Sequence, residues 1–224
     1  MISSKPSQYI KGWVEFYKLK FKVTPDVLIP RPETELLVDE VLDNITITKD
    51  ALVLDVGTGS GNIAISIAKN TPDAKIIATD VSKKALEVAK QNAKLHGVED
   101  RIDFIQSNLL ANLPYTLNQK PSTLIIVTNL PYIPSERISY LDSSVKDFEP
   151  HVALDGGPDG FGLYRELFKQ IVARSWQPKL IIGEIDYTHG ELAINEAQKY
   201  FPGSRVEVKT DLAKKQRILL IQKT

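Results

Sequence analysis

The chain is predicted to be an α/β protein built on a mostly parallel sheet with helices on its faces. From residue 51 onward, apolar runs of strand length alternate with stretches of helical period, the order expected when a crossover helix returns each strand to its neighbour. The runs are apolar almost throughout rather than at every second position, as strands covered on both faces must be. A cluster of glycines stands between the first such run and the helix after it, the place where an open parallel sheet meets its ligand.

The segment before residue 51 has a different pattern. In "WVEFYKLKFKVT", Leu19, Phe21 and Val23 share one face while Lys18, Lys20 and Lys22 share the other, the period of a half-buried strand. A lysine row of this kind could touch RNA or a ribosome-associated partner; it reads better as a solvated face that discourages edge-to-edge pairing. "PETELLVDEVLDNI" then reads as a helix, with Pro32 in its first turn and acidic residues at its positive end.

The strands that follow are "ALVLDV", "KIIATD", "IDFIQ", "TLIIVTN", "KLIIGEI", "RVEVKT" and "QRILLIQ". The last two are close enough in sequence for an antiparallel hairpin. Between the strands lie four helical stretches, "NIAISIAKN", "SKKALEVAKQNAKLHG", "FGLYRELFKQIVARSW" and "GELAINEAQKYF". Ser82 is the expected N-cap of the second and Gly97 its C-terminal stop. "NQKPS" and "DGGPDG" read as loops. The second of these lacks the alternating oxygen ligands and closing glutamate of a calcium loop.

Composition excludes several classes. A chain of 224 residues with 42% hydrophobic and 25% charged side chains can bury one sizeable core and is neither disordered nor fibrous. Lys and Arg number 28, as do Asp and Glu, so the broad positive field of a dedicated nucleic-acid binder is missing. There is no cysteine, hence no disulfide, thiolate metal site or cysteine nucleophile. His96, His151 and His189 are too scattered for a metal-ligand spacing and read as surface or loop residues, so no metal is expected. No apolar stretch approaches the roughly 18 residues of a membrane span, and lysines interrupt the N-terminal region where a signal peptide would be apolar. A cytoplasmic protein is expected.

In "LDVGTGSGNIA" the glycines fall at Gly57, Gly59 and Gly61. A dinucleotide fingerprint would need its third glycine at 62, which is Asn, and the phosphate-loop lysine is also missing. The spacing fits a nucleoside site with a tighter turn. Asp80 ends the second strand 19 residues after Gly61, where a carboxylate can accept hydrogen bonds from both hydroxyls of a ribose.

Asn-Leu-Pro-Tyr occurs twice, in "ANLPYT" and in "VTNLPYIP". Only the second copy follows a strand, the one expected beside the first strand of the sheet, so the first is read as a loop coincidence. Asn129 offers a side-chain carbonyl and Leu130 a backbone carbonyl, two acceptors for the two N–H bonds of a planar NH2 group. Tyr132 adds a stacking face. Pro131 restricts Leu130 to extended backbone and fixes its own φ, so the loop is stiff before a ligand arrives.

Together, "VLDVGTGSG", "ATD" and "TNLPYIP" resemble a class I methyltransferase that uses S-adenosylmethionine and acts on amino nitrogens. "VLIPRPETELLVDEVL" and "FEPHVALDGGPDGFGLYRELF" extend the resemblance to the HemK/PrmC family of protein-glutamine methyltransferases, from about Pro6 almost to the C-terminus. The resemblance implies a Rossmann-like sheet of seven mostly parallel strands with an antiparallel C-terminal strand. A short N-terminal β-hairpin and helix (1–48) would pack on the methyltransferase domain (49–224). It implies that Gly57, Thr58, Gly59, Ser60 and Gly61 wrap the methionine part of the cofactor, that Asp80 and Val81 hold the ribose, and that Asn108 and Leu109 flank the adenine. Asn129, Leu130, Pro131 and Tyr132 would grip the acceptor amide beside the cofactor, leaving S-adenosylhomocysteine as product. The segment Arg31 to Glu35 resembles the family's cap over the cofactor. The implied partner is a peptide-chain release factor, methylated at the glutamine of its Gly-Gly-Gln motif, with nucleic acid not expected as substrate.

The chain departs from the family pattern at Leu130, where a proline is usual, and at Asn108, where an aspartate is usual. It also begins just before the catalytic domain, without the helical domain that usually precedes it. Two other functions therefore stand beside the first: an adenine amino-nitrogen methyltransferase of RNA or DNA, and a binding module that holds the nucleoside without transfer.

Overall fold

The computed structural model describes residues 5–44, 51–114 and 123–224. The expected boundary at 48/49 and the "NQKPS" loop lie outside the described residues. Seven strands form one sheet: β3 (Ala51–Val56), β4 (Lys75–Asp80), β5 (Ile102–Gln106), β6 (Thr123–Thr128), β7 (Leu180–Glu184), β8 (Arg205–Thr210) and β9 (Gln216–Gln222). Their order is β5-β4-β3-β6-β7-β9-β8. β3 runs parallel to both β4 and β6, and β6 to β7, while β9 is antiparallel to β7 and to β8. The expected closing hairpin is present.

Every residue of β3 and β6 is buried, which is the physical content of the unbroken apolar runs. Val53, Ile125 and Ile182 face a cluster shared with α2 (Glu35–Asn44) and α3 (Asn62–Asn70). Leu54, Ile126 and Ile181 face a second cluster, shared with α6 (Gly162–Ala173) and α7 (Gly190–Tyr200). A further helix, α4 (Lys83–Leu95), starts at Ser82, whose hydroxyl accepts from the Ala85 N–H at 3.2 Å, and it gives way to Gly97 at φ 64°. Both caps are where the sequence puts them.

The N-terminal region is a short helix, α1 (Ser7–Lys11), then a two-stranded hairpin of β1 (Trp13–Phe16) and β2 (Leu19–Lys22). The single alternating segment is thus two strands. They are joined by Tyr17 and Lys18, both at positive φ, in the manner of a type I′ turn. Lys18 therefore belongs to the turn, while Lys20 and Lys22 are exposed. Tyr17 is held there by Glu35, which accepts from its N–H at 2.8 Å, and by Asp39, which accepts from its hydroxyl at 2.8 Å. Phe16 and Phe21 are 1% and 0% exposed in the same cluster as Val53 and Ile125. Each such burial is worth about 1.5–3 kcal/mol, enough to fix the hairpin on the sheet domain.

Candidate active site

The chain moves outward from β3 to β5 and then crosses back to β6 on the other side of β3, so a crevice opens at the carboxyl ends of β3 and β6. Val56 pairs with Thr128. The next residues on each strand, Gly57 and Asn129, therefore emerge side by side, and both line a cavity of about 260 Å³.

The glycine turn is built from below. Gly57, Gly59 and Gly61 have φ of 78°, 56° and 82°. The N–H groups of Gly57 and Thr58 both donate to the Thr79 carbonyl at 2.8 Å. Beneath them lies Asp55, fully buried, whose Oδ2 accepts from the Thr58 hydroxyl at 2.6 Å and the Ala64 N–H at 3.1 Å. Its Oδ1 is buried without a partner among the described residues. Burial pushes this carboxyl up to about 7, against the two hydrogen bonds, with the nearby Asp80 charge adding to the rise.

Asp80 ties the turn to the next strand. Its Oδ2 accepts from the Gly59 N–H at 2.9 Å and its Oδ1 from the Ser82 N–H at 2.8 Å. Burial raises its carboxyl above the usual range, against those bonds. Each oxygen keeps a further lone pair, and the residue lines the cavity. A strand-end carboxylate beside exposed glycine backbone, in a cavity walled otherwise by Val27, Leu109 and Leu130, fits a nucleoside: hydroxyls to the acid, base to the apolar wall.

Asn129 begins a buried polar circuit of three hydrogen bonds. Its Nδ2 donates to the Thr34 hydroxyl at 3.1 Å, and the Thr34 hydroxyl donates to Glu184 Oε2 at 2.6 Å. Glu184 Oε1 accepts from the Tyr132 hydroxyl at 2.9 Å. Thr34 and Glu184 are 2% and 1% exposed. Burial raises the Glu184 carboxyl, opposed by the two hydroxyl donors and by Arg217, and the same burial together with the Glu184 charge raises the Tyr132 phenol. Tyr132 is therefore a neutral donor whose ring is fixed at both ends.

Two loops brace this arrangement. The segment from Val23 to Arg31 crosses the cavity, where Asp26, Val27 and Leu28 form part of the wall. Tyr9 donates its hydroxyl to the Val27 carbonyl at 2.6 Å. The buried Glu149 accepts from the Ile29 N–H at 3.1 Å and pairs with Arg31. The "DGGPDG" turn lies behind the Asn-Leu-Pro-Tyr loop: the Gly156 N–H donates to the Ile133 carbonyl at 2.9 Å and the Ser135 N–H to the Gly157 carbonyl at 2.9 Å.

Of the residues singled out from the sequence, Gly57, Gly59, Asp80, Val81, Asn108, Leu109, Asn129, Leu130 and Pro131 come together at the cavity. Thr58 turns its hydroxyl down to Asp55, Ser60 bonds Asn62, and Gly61 is buried, so these three support the turn from inside. Arg31 to Glu35 sits beside Glu149, Asn129 and Glu184 rather than at the cavity wall, which Asp26 to Leu28 supply. The earlier motif copy places Asn112 on the surface, with its amide on the Gln106 carbonyl. His189 is buried at 6% exposure, edge-on to Phe161, and is not a surface residue.

Asp55 and Glu184 were not anticipated, and Thr34 was anticipated only as part of the Arg31 to Glu35 segment. For the two acids a signal existed: each is a charge at the carboxyl end of an otherwise apolar strand.

The family described as a methyltransferase domain matches residues 47–140. The release factor glutamine methyltransferase of Lactococcus lactis subsp. lactis (strain IL1403) is 37% identical over 220 residues, which is 98% of this chain and 78% of the relative. That of Moorella thermoacetica (strain ATCC 39073 / JCM 9320) is 38% identical over 96% of this chain and 74% of its own. Among solved structures, the hMettl16 catalytic domain in complex with MAT2A 3'UTR hairpin 6 aligns with a TM-score of 0.69 at 13% identity, over 92% of this chain and 76% of that one. The ribosomal protein L11 methylase from Lactobacillus delbrueckii subsp. bulgaricus aligns with a TM-score of 0.57 at 20% identity, over 87% and 81%. These two likenesses concern the fold. The likeness in sequence covers nearly the whole chain, and by it the chain belongs to the release factor glutamine methyltransferase family.

Proposed function

We propose that the protein transfers a methyl group from S-adenosylmethionine to the side-chain amide nitrogen of a glutamine in a peptide-chain release factor, within its Gly-Gly-Gln motif. The observation that carries this reading is the register of β3 and β6, which brings Gly57 and Asn129 side by side at one cavity. Such a junction lets a nucleoside donor and a planar amide meet. The names of the family's curated relatives support the choice of acceptor.

When bound, S-adenosylmethionine supplies a methyl group activated by its sulfonium. Asp80 accepts from the ribose hydroxyls, with Val81 beside it, and Asn108 and Leu109 border the base. The backbone of Gly57 and Gly59 leaves room for the methionine part. Asn129 Oδ1 and the Leu130 carbonyl accept the two N–H bonds of the glutamine amide, which aligns its nitrogen and offsets positive charge developing there. Tyr132 does not line the cavity itself; anchored through its hydroxyl to Glu184, its ring would stack on the amide from the loop behind it. Pro131 keeps this loop from adjusting. A formal charge of zero suits a protein acceptor better than a nucleic acid, and a cytoplasmic site of action goes with such an acceptor.

The test is a labelled-methyl assay in which release factor, a release factor with the Gly-Gly-Gln glutamine replaced, and ribosomal RNA are offered in parallel. Label on the unaltered factor alone is the expected result. Label on RNA, or no label on the factor, overturns the reading.

A further inference from the structure

We propose that Thr34 is a positioning residue for this reaction: its hydroxyl, committed as donor to Glu184, holds the Asn129 amide in the one orientation that leaves Oδ1 free for the acceptor nitrogen. The proposal rests on the function proposed above for the identity of the acceptor, and on the hydrogen-bond circuit for the rest.

A threonine hydroxyl has one proton and two lone pairs. Two hydroxyl donors, from Thr34 and Tyr132, converge on the two oxygens of Glu184 at 2.6 and 2.9 Å, the pattern of a carboxylate acting as acceptor only. The Thr34 proton is thereby used, and toward Asn129 the hydroxyl presents a lone pair. Only the NH2 end of the Asn129 amide can meet it, at 3.1 Å. The opposite orientation would set two oxygens against each other at a residue 2% exposed, where water cannot relieve the conflict. So Oδ1 points away from Thr34.

Such a device is needed because the two ends of an asparagine amide are nearly the same size. Packing alone does not choose between them, and a flipped amide would offer donors to a substrate that itself brings donors. Thr34 stands at the start of α2, and Glu184 at the end of β7. The orientation of the Asn129 amide is thus set by groups on two elements outside its own loop. Thr34 itself does not line the cavity.

The experiment compares Thr34→Val and Thr34→Ser with the wild type in three measurements: methyl transfer, cofactor affinity by calorimetry, and exchange of the Asn129 side-chain amide protons with solvent by nitrogen-edited NMR. The expected result is a fall in kcat of about 10- to 100-fold for Thr34→Val, with cofactor Kd nearly unchanged and Tm lowered by a few degrees through the Glu184 oxygen left unpaired, and activity within about threefold of wild type for Thr34→Ser. The Asn129 amide should exchange slowly in the wild type and the serine variant and quickly in the valine variant. Wild-type kcat and unchanged exchange in Thr34→Val overturn the proposal. So does a valine variant whose stability, cofactor affinity and rate fall together without rescue by serine. If the valine variant does not fold, Thr34→Ala, which also lacks the hydroxyl, takes its place. If the wild type methylates no release factor, the function proposed above fails, while the exchange measurement still decides whether Thr34 orients Asn129.

Discussion

The Tyr132 carbonyl oxygen lies 2.3 Å from where a Cβ on Gly160 would stand, and Gly160 has φ +75°. The "DGGPDG" turn is therefore flush with the back of the loop that carries Asn129 and Tyr132. What reads in the sequence as an ordinary turn is the surface against which the acceptor loop is pressed.

Gly160→Ala should displace that loop. The added methyl meets a backbone oxygen that no side-chain rotation can move, and the left-handed φ adds about 1 kcal/mol of strain. Gly157→Ala is the control: its φ is +91° but its nearest foreign atom would be 4.0 Å away, so it should carry the strain alone. In thermal unfolding and steady-state assays, Gly160→Ala should lose more than tenfold in kcat with a clearly lowered Tm, and Gly157→Ala should lose about 1 kcal/mol with nearly normal kcat.

Asp80→Asn tests the ribose contact. The amide can still accept the Gly59 N–H with its oxygen, but its nitrogen then faces Ser82, whose N–H now donates to Oδ1. A charge-assisted acceptor is lost as well. Calorimetry with S-adenosylhomocysteine should show affinity weakened at least tenfold, about 1.4 kcal/mol, and unchanged affinity would remove Asp80 from the cofactor site.

Asn129→Ala should separate the acceptor from the donor. Loss of the side-chain carbonyl should lower kcat by about 10²–10³-fold, while cofactor affinity changes by less than threefold. A large loss of cofactor affinity instead would mean that Asn129 serves the donor site.

Asp55 makes stability depend on pH. Its folded carboxyl is pushed up to about 7 from 3.8, so the folded state holds a proton that the unfolded chain releases between those values. The contribution is fully present below about pH 4 and is lost as pH rises through about 7. Asp55→Asn, which removes the titration, should therefore gain stability relative to the wild type between pH 5 and pH 8, by roughly 3 kcal/mol in urea unfolding. Parallel pH profiles for the two proteins would show that Asp55 is ionised in the fold throughout.

The strand sequence, the glycine turn, the caps of α4 and the choice of the second Asn-Leu-Pro-Tyr copy were legible because each rests on local order: periodicity, a cap residue, or a loop at the end of an apolar run. The turn at Tyr17 and Lys18 was not, since it lacks the Asn-Gly signal and is held by Glu35 and Asp39 from the next helix. The short helix α5 (Ser143–Lys146) and the tight turns around it in residues 135–153 were missed for a related reason. They are too short to show a period.

By itself, the sequence determined which segments become the strands of the large sheet and its longer helices, and which residues stand at the tips of that sheet. Only the tertiary structure decided that Thr34, Asn129, Tyr132 and Glu184 form one circuit, with separations of 95 residues from Thr34 to Asn129 and 150 from Thr34 to Glu184. The physical reason is that a buried polar atom must find a partner wherever the fold supplies one, and that supply is a property of strand order, not of neighbouring letters.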